Sequence, residues 1–479
     1  MPALIVGIVI ALLVAGSPPA DAVNSHFAGQ RSKWGVWEHP TSATTDSTLF
    51  LPLVLRNYPA LTVFGVEMGE ISESEGLSKV VQAQSQWVRR AALPWPDVEP
   101  TEGARNWSAV AGLEQELQTA ASNGLTVILV VRYTPAWAQQ RAGYPCGAIK
   151  PEKLGAFASF MRDAVARYSV TPYRVKYWEI WNEPDVAPEV VAPDSPFGCW
   201  GDASDPYYGG GYYADMLKQV YPAVKAADPQ AQVLVGGLLL DCDPRQPPPG
   251  KDCMPSKFLE GILRNGGGPF FDGVSFHAYD YYSSALGQYV NANWQSAWNT
   301  TGPAMVAKAG FVKSVLATYG VSGKFLMNTE AALLCDTCAN DPVFETTKAY
   351  YVAQLYAAAI TEGLRANIWY TVLGWPGRNS GLLDGSLNPR PAYSAYQFAA
   401  SELRASTFDE AVTGYAGVAG YKLQRGDRRI WVVWSLDGAS HAITLPGTPL
   451  AAWDALGNPE SVSSMLTVTT EPMYLEWSP

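Results

Sequence analysis

Charge is scarce in this chain of 479 residues: Asp, Glu, Lys and Arg make up 16%, against about 25% in ordinary soluble proteins. Basic residues are the scarcer kind, 33 Lys and Arg against 44 Asp and Glu, and the formal net charge is −11 at pH 7. No basic patch offsets that balance, so nucleic acid is excluded as a partner. Histidine is rarer still, with 4 in all. His26, His39 and His441 fall outside the strands described below, and His277 alone cannot build the multi-histidine site of a metal-dependent hydrolase. Cys335 and Cys338 form one C-x2-C, and no second one exists to complete a four-cysteine zinc site. No G-x-S-x-G occurs, which removes the nucleophile elbow of a serine hydrolase. No G-x-G-x-x-G occurs either. Gly209 to Gly211 with Ala214 meets only the looser Ala-ended form and follows no predicted strand; Gly266-Gly267-Gly268 lacks the third small residue. Neither a metal nor an organic cofactor is expected. Beyond the N-terminal segment, no stretch approaches the ~20 apolar residues of a spanning helix.

What is present is apolar and aromatic. Hydrophobic residues reach 48%, with 17 Trp, 25 Tyr and 15 Phe. That is enough to bury a real core and excludes a disordered chain. An acidic, Trp- and Tyr-rich chain with few long charged side chains suits a neutral, hydroxyl-rich ligand. Leu4 to Gly16 form one apolar run, and Ala20-Asp21-Ala22 is an A-x-A cleavage pattern. Residues 1–22 therefore read as a secretory signal peptide, although Met1-Pro2 supplies no basic n-region. The mature chain is expected to be secreted, with no membrane attachment after cleavage; the alternative reading of the apolar run is a retained membrane anchor. The 6 cysteines fit export. Cys242 and Cys253 bracket a Pro-rich loop and look like a local disulfide. Cys335 and Cys338 sit in Cys-Asp-Thr-Cys. Cys146 and Cys199 remain and could pair, one choice among the fifteen connectivities open to six cysteines.

Residues 23–60 form a mixed, turn-rich N-terminal extension. A regular alternation begins near Leu61. Short apolar β-rich runs fall at 62–68, 86–91, 126–132, 176–181, 232–239, 272–279, 324–330 and 366–372. Helix-like spacing fills 73–84, 108–123, 151–168, 211–227, 255–264, 303–319, 344–363 and 391–404. This repeated alternation predicts a (β/α)8 TIM barrel over 61–404. After residue 405 helical spacing stops. Short alternating strands at 421–423, 429–435, 441–445, 451–454 and 466–470, with turn signals such as Asp437-Gly438, predict a small antiparallel β-sandwich over 405–479. Its expected role is to buttress the barrel.

Function in a barrel sits at the carboxyl ends of its strands. The fourth run ends Trp178-Glu179-Ile180-Trp181-Asn182-Glu183, the sixth His277-Ala278-Tyr279, and the seventh Asn328-Thr329-Glu330. Glu183 and Glu330 thus project at one face from strands about opposite each other. Glycoside hydrolysis needs two such carboxyls, one protonated to release the leaving oxygen and one ionised to meet the positive anomeric carbon. Glu179, four residues before Glu183 on the same strand, points inward and low as a buried ion-pair partner.

Several of these residues carry a resemblance. Trp181-Asn182-Glu183-Pro184 resembles the acid/base signature of clan A glycoside hydrolases, and a strand-7 Glu accompanies it. His277-x-Tyr279 fits the same clan, as does Trp87-Val88-Arg89-Arg90 followed by Trp95, Glu99-Pro100 and Gly103. Thr134-Pro135-Ala136-Trp137 is similar to families 39 and 5, and a β domain after the barrel resembles family 39. Ala331-Ala332 after Glu330 departs from the aromatic or glycine often found there. The resemblance spans 61–479. It implies a retaining glycoside hydrolase acting on β-linked bonds of a poly- or oligosaccharide, with Glu183 as acid/base and Glu330 as nucleophile.

The same resemblance gives the neighbours their expected roles. Asn182 meets the sugar 2-hydroxyl, Tyr279 hydrogen-bonds Glu330, and His277 positions that network or the substrate. Either Arg89 or Arg90 holds Glu330 ionised. Adjacent strand residues face opposite ways, and the choice here is Arg90. Trp369 is expected as the aromatic floor under the reacting sugar. Trp137, Trp200, Trp294, Trp298 and Trp375 fall in loops on the catalytic face, where flat rings stack on pyranose. A transglycosylase would use the same residues, and a non-catalytic carbohydrate-binding barrel would need none of the carboxyl chemistry.

Overall fold

The structure is a computed structural model that describes residues Thr62–Ser478. The expected signal peptide (1–22) and N-terminal extension (23–60) lie outside the described residues. Eight parallel strands close into a barrel: β1 (Phe64–Glu67), β2 (Trp87–Pro94), β3 (Thr126–Arg132), β4 (Tyr177–Asn182), β5 (Gln232–Leu238), β6 (Gly273–Tyr282), β7 (Phe325–Leu334) and β8 (Ala366–Trp369). Each strand pairs with its sequence neighbour, β8 returns to β1, and β5 pairs with β6 to complete the ring. A helix follows each strand: α1 (Leu77–Gln82), α2 (Ala111–Ser122), α3 (Leu154–Tyr168), α4 (Gly210–Ala227), α5 (Phe258–Arg264), α6 (Ala304–Thr318), α7 (Pro342–Thr361) and α8 (Pro391–Leu403). The start of α7 shows how sequence sets such a boundary. Asp341 accepts the free amides of Val343 and Phe344, and Pro342 supplies a preset φ with no donor to waste.

The period of two along each strand decides what fills the barrel. Trp87, Ile128, Tyr177, Leu234, Met327, Ala366 and Ile368 point inward and plug the amino-terminal half. Two residues further along β2 and β4, the same face carries Arg89 and Glu179. The barrel is therefore apolar below and ionic above, and the change falls where the strands open toward their carboxyl-end loops.

The C-terminal strands are β9 (Thr407–Ala411), β10 (Val418–Arg425), β11 (Arg428–Ser435), β12 (His441–Thr444), β13 (Ala451–Trp453), β14 (Met465–Val468) and β15 (Met473–Trp477). They form a five-stranded sheet in the order β9-β10-β11-β15-β13, faced by the pair β12-β14. On β11 the alternation is used on both faces. Trp431 and Val433 pack with Ile443, Val468 and Leu475 inside the sandwich. Ile430, Val432 and Trp434 join the barrel's own core. Each such side chain contributes roughly 1.5–3 kcal/mol by its burial, so a charge at Val432 would part sheet and barrel. Phe398 of α8 completes the seam, 5.0 Å from Tyr474 and 5.6 Å from Trp453 between ring centres. The sequence pattern misses β9 and β15. All of β9 is exposed and has no apolar face to read, and β15 buries Glu476 beside Tyr474 and Leu475, which breaks the polar-out alternation.

Three disulfides all lie in loops that follow strands: Cys146–Cys199 joins the loops after β3 and β4, Cys242–Cys253 closes the loop after β5, and Cys335–Cys338 lies after β7. Among the described residues, no helix is long and apolar enough to cross a membrane.

Candidate active site

At the carboxyl end of the barrel, Arg89 is fully buried and gathers its neighbours. Its Nη1 donates to Glu67 Oε2 and to Glu330 Oε1, both at 2.6 Å. Its Nε and Nη2 reach Glu179 Oε1 at 3.0 and 2.5 Å, and Nη2 also donates to Asn182 Oδ1 at 2.7 Å. Strands β1, β4 and β7 each send one group or more to this guanidinium of β2. Arg90 does not take part. It faces outward to the helix layer, where Nε and Nη2 pair with Glu116 of α2 at 2.6 and 2.9 Å. The expectation that Arg90 holds Glu330 is therefore corrected: strand alternation assigns that place to Arg89.

Glu183 owes its position to an unusual backbone course at the end of β4. Trp181 and Glu183 take left-handed backbone conformations, with φ of 77° and 48°. Such angles persist in side-chain-bearing residues only where the surroundings fix them. Here the Trp181 indole N–H donates to Cys146 O at 2.9 Å and Gly198 O at 3.2 Å, and the Glu183 amide donates to Gly237 O at 2.9 Å. Gly236 makes room, because a Cβ there would stand 2.2 Å from Ile180 O.

Glu183 and Glu330 are 8% and 6% exposed, so a ligand at the mouth can touch them but bulk water cannot surround them. His277 Nδ1 lies 2.7 Å from Glu183 Oε1 and 3.4 Å from Glu330 Oε2. Glu183, His277 and Glu330 each bring one polar atom within 4.8 Å of the others. A cation bound by these three would compete with Arg89 for Glu330, so the donor set suits a proton-carrying pair better than a metal. Tyr279 donates its hydroxyl to Glu330 Oε2.

Burial pushes both glutamates up, Glu330 to about 8 and Glu183 well above the carboxylate range. Their neighbours then divide them. Arg89 and the Tyr279 hydroxyl act on Glu330 in the opposite direction. The charges of Glu330 and Asp185 add to the burial of Glu183. The pair's proton therefore resides on Glu183. Burial, Arg89 and Lys308 hold His277 well below its ordinary value, so the ring is neutral. We assign its hydrogen to Nδ1, donated to Glu183 Oε1, which leaves Oε2 to carry the acidic proton.

The aromatic residues sort differently from expectation. Trp369 is fully buried and donates its indole N–H to Ser380 O at 2.9 Å. Ile368 points into the barrel, so Trp369 points out of it and is not the floor of the site. Tyr370, the next residue, is the one beside the carboxyls; burial and then Glu330 push its hydroxyl up. Its ring centre lies 6.1 Å from Tyr279 and 5.6 Å from Trp375, and Trp375 lies 5.8 Å from Tyr279. Trp375 is 37% exposed, which leaves ring surface free at the mouth. Trp137 packs edge-on to Trp95 at 5.1 Å and donates to Glu99 O at 3.1 Å, contacts that run to the β2 loop and not to the carboxyls. Trp200 and Trp294 are buried, and Trp298 rests against Gly438 of the β domain.

The site thus brings together Glu183, Glu330, Asn182, His277 and Tyr279, and leaves out Arg90, Trp137 and Trp369. Glu67 and Tyr370 join it without having been singled out in the sequence. Counting inward positions from Trp87 and Ile368 is the signal that finds Arg89 and Tyr370.

No family model matches the chain, and no curated protein matches it in sequence. Solved structures do match in shape. The fold is similar to that of a family 39 glycoside hydrolase from the gut symbiont Bacteroides cellulosilyticus WH2, with TM-score 0.64 and 20% identity over 86% of this chain and 80% of that one. A family 30 subfamily 8 xylanase from Clostridium acetobutylicum gives TM-score 0.59 at 14% identity, covering 87% and 96%. A family 30 endoxylanase from Clostridium papyrosolvens C71 gives 0.58 at 12%, covering 88% and 97%. These likenesses establish the shared fold, a barrel followed by a β domain.

Proposed function

We propose that this chain is a secreted retaining glycoside hydrolase that cleaves β-linked bonds of a poly- or oligosaccharide by double displacement. The observation that carries the reading is geometric: Glu183 and Glu330 face each other at the carboxyl end of the barrel with polar atoms within 4.8 Å. Retaining enzymes place their carboxyl groups about 5–5.5 Å apart, whereas inversion needs about 6.5–9.5 Å to admit water.

In the first step Glu330 attacks the anomeric carbon and forms a glycosyl ester, while Glu183 Oε2 passes its proton to the departing oxygen. Loss of that proton returns Glu183 to a carboxylate that His277 Nδ1–H supports. In the second step Glu183 takes a proton from water, the hydroxide oxygen bonds the anomeric carbon, and Glu330 leaves as carboxylate. Arg89 and Tyr279 stabilise Glu330 whenever it is ionised. Asn182 holds the sugar 2-hydroxyl, and Tyr370 and Trp375 offer ring faces to pyranose. The likeness to xylan-cleaving and family 39 barrels supports a neutral polysaccharide as substrate. Three loop disulfides and the 1–22 leader support an oxidising destination.

The test is a panel of aryl β-glycosides and polysaccharides assayed with the wild type and with Glu183→Ala and Glu330→Ala. On a dinitrophenyl glycoside, whose leaving group needs no acid, Glu183→Ala should retain the first step, and azide should restore turnover as a β-glycosyl azide. Glu330→Ala should lose turnover by about 10³-fold or more. Products of inverted anomeric configuration from the wild type, or full activity of Glu330→Ala, would sink the reading.

A further inference from the structure

Behind Glu183, on the side where β5 and β6 end, α6 buries a lysine. Lys308 is 4% exposed, yet its Nζ donates to main-chain carbonyls and not to a carboxylate: Leu239 O at 2.6 Å and His277 O at 2.7 Å. We propose that Lys308 is a positioning residue for Glu183, clamping the ends of β5 and β6 and setting one positive charge behind the acid/base carboxyl. This inference rests on the reading of Glu183 as the acid/base.

The contacts form a closed circuit. Asp185, two residues after Glu183, accepts the amides of Leu239 at 2.9 Å and Leu240 at 2.8 Å. Lys308 takes the carbonyl of Leu239, and the Trp294 indole takes that of Leu240 at 2.7 Å. Lys308 also takes the carbonyl of His277, whose ring returns to Glu183 at 2.7 Å. The backbone at the ends of β5 and β6, on that side of Glu183, is thus held by charged or indole groups that take the carbonyls of Leu239, Leu240 and His277. A leucine or methionine would fill the same space without the large cost of burying an ammonium. Burial lowers Lys308 to about 8 against the pull of the carboxyls that face it, Asp185, Glu183, Asp280 and Asp241, so its positive charge is present below that pH.

The charge has a chemical use. Glu183 faces Glu330 and Asp185, both of which oppose its ionisation, while Lys308 and Arg89 favour it. An acid must release its proton in the first step and recover one in the second, so its carboxylate has to be tolerable. Arg89 already serves Glu330, Glu67 and Glu179 by direct contact. Lys308 is the cation left to temper Glu183.

The experiment compares Lys308→Met, Lys308→Gln and Lys308→Arg by two readouts. One needs no substrate: titration of the 13C-labelled Glu183 carboxyl by NMR in a Glu330→Gln background. The other is the pH profile of kcat/KM on whichever aryl β-glycoside the wild type cleaves. Loss of the charge should raise the Glu183 titration and the basic limb by about half a unit or more, and lower kcat about tenfold with little change in KM. Lys308→Arg should return the limb toward the wild type. An unchanged Glu183 titration in folded Lys308→Met, or in Lys308→Gln where the methionine variant does not fold, overturns the proposal. So does a Lys308→Arg shift as large as that of the neutral variants. If the wild type cleaves no glycoside, the hydrolase reading fails, and the NMR titration still decides whether Lys308 controls Glu183.

Discussion

The Nε2 edge of His277 lies against the bare α-carbon of Gly237: a Cβ on that glycine would stand 2.1 Å from Nε2. Strands β5 and β6 approach so closely there that the ring has one place to go, and that place sets Nδ1 on Glu183. Gly237→Ala should therefore push His277 away and lower kcat/KM by about 10²-fold, as misplacement of a catalytic group does. Kinetics on an aryl glycoside beside a melting curve will check it. An unchanged rate in a folded variant would mean that the His277 contact is dispensable.

Arg89 and Arg90 are neighbours in sequence with opposite consequences. Arg89→Met leaves Glu67, Glu179 and Glu330 buried without their shared partner and should cost on the order of 3–5 kcal/mol of stability, together with activity. Arg90→Met removes one partly buried pair with Glu116 and should cost about 1 kcal/mol, with activity retained. Urea denaturation of both variants separates them. Equal losses would contradict the placement.

Tyr279→Phe removes the hydroxyl that supports ionised Glu330. Its loss favours the protonated acid, so Glu330 titrates higher and the acid limb of the kcat/KM profile moves to higher pH. A fall in kcat of about 10–10²-fold should accompany it. A limb that stays in place would show that Arg89 alone maintains the nucleophile.

Asp280 bears on stability instead of catalysis. Burial raises it to about 6, although it accepts Ala304 N–H at 2.9 Å and Tyr351 O–H at 2.8 Å. A carboxyl raised in the folded state binds its proton more tightly there than in the unfolded chain. Its contribution to stability is present below its unfolded value, near 4, and is lost as pH rises through about 6. Asp280→Asn should keep both contacts and flatten the pH dependence of stability between about 4 and 6, by on the order of 2–3 kcal/mol. Urea midpoints at the two ends of that range test the sign.

Trp375→Ala should raise KM about tenfold on oligosaccharides and change kcat little, because the ring offers a face to sugar without touching the reacting atoms. Equal KM values across a ladder of chain lengths would remove Trp375 from substrate binding.

Much of the architecture is legible in the sequence. The apolar runs at 126–132 and 429–435 coincide with strands because burial on both faces writes itself into residue type. Asn182, Glu183, His277, Tyr279 and Glu330 are legible because strand ends at one face of a barrel must converge. Arg89 is legible only by counting inward positions from Trp87, since its partners Glu67 and Glu179 come from β1 and β4 and no local pattern joins them. Trp369 misleads by its size; only the inward direction of Ile368 reveals that Tyr370 faces the carboxyls. Lys308 lies in a helix where a lysine ordinarily marks the solvent side, and its burial follows from how α6 meets β5 and β6.

The loop after β7 and the loop after β8 are joined at several points. Cys335 N–H meets Arg378 O at 3.0 Å, Asn379 donates to Cys335 O at 2.7 Å, and Arg378 pairs with Asp336 at 2.9 Å while lying over the Trp375 ring. The Cys335–Cys338 ring fixes one end of that splint. These two loops therefore behave as a single module. Grafting a new substrate preference onto this barrel means transplanting both together, and a change in the small ring after β7 is inherited by the Trp375 indole at the mouth of the site.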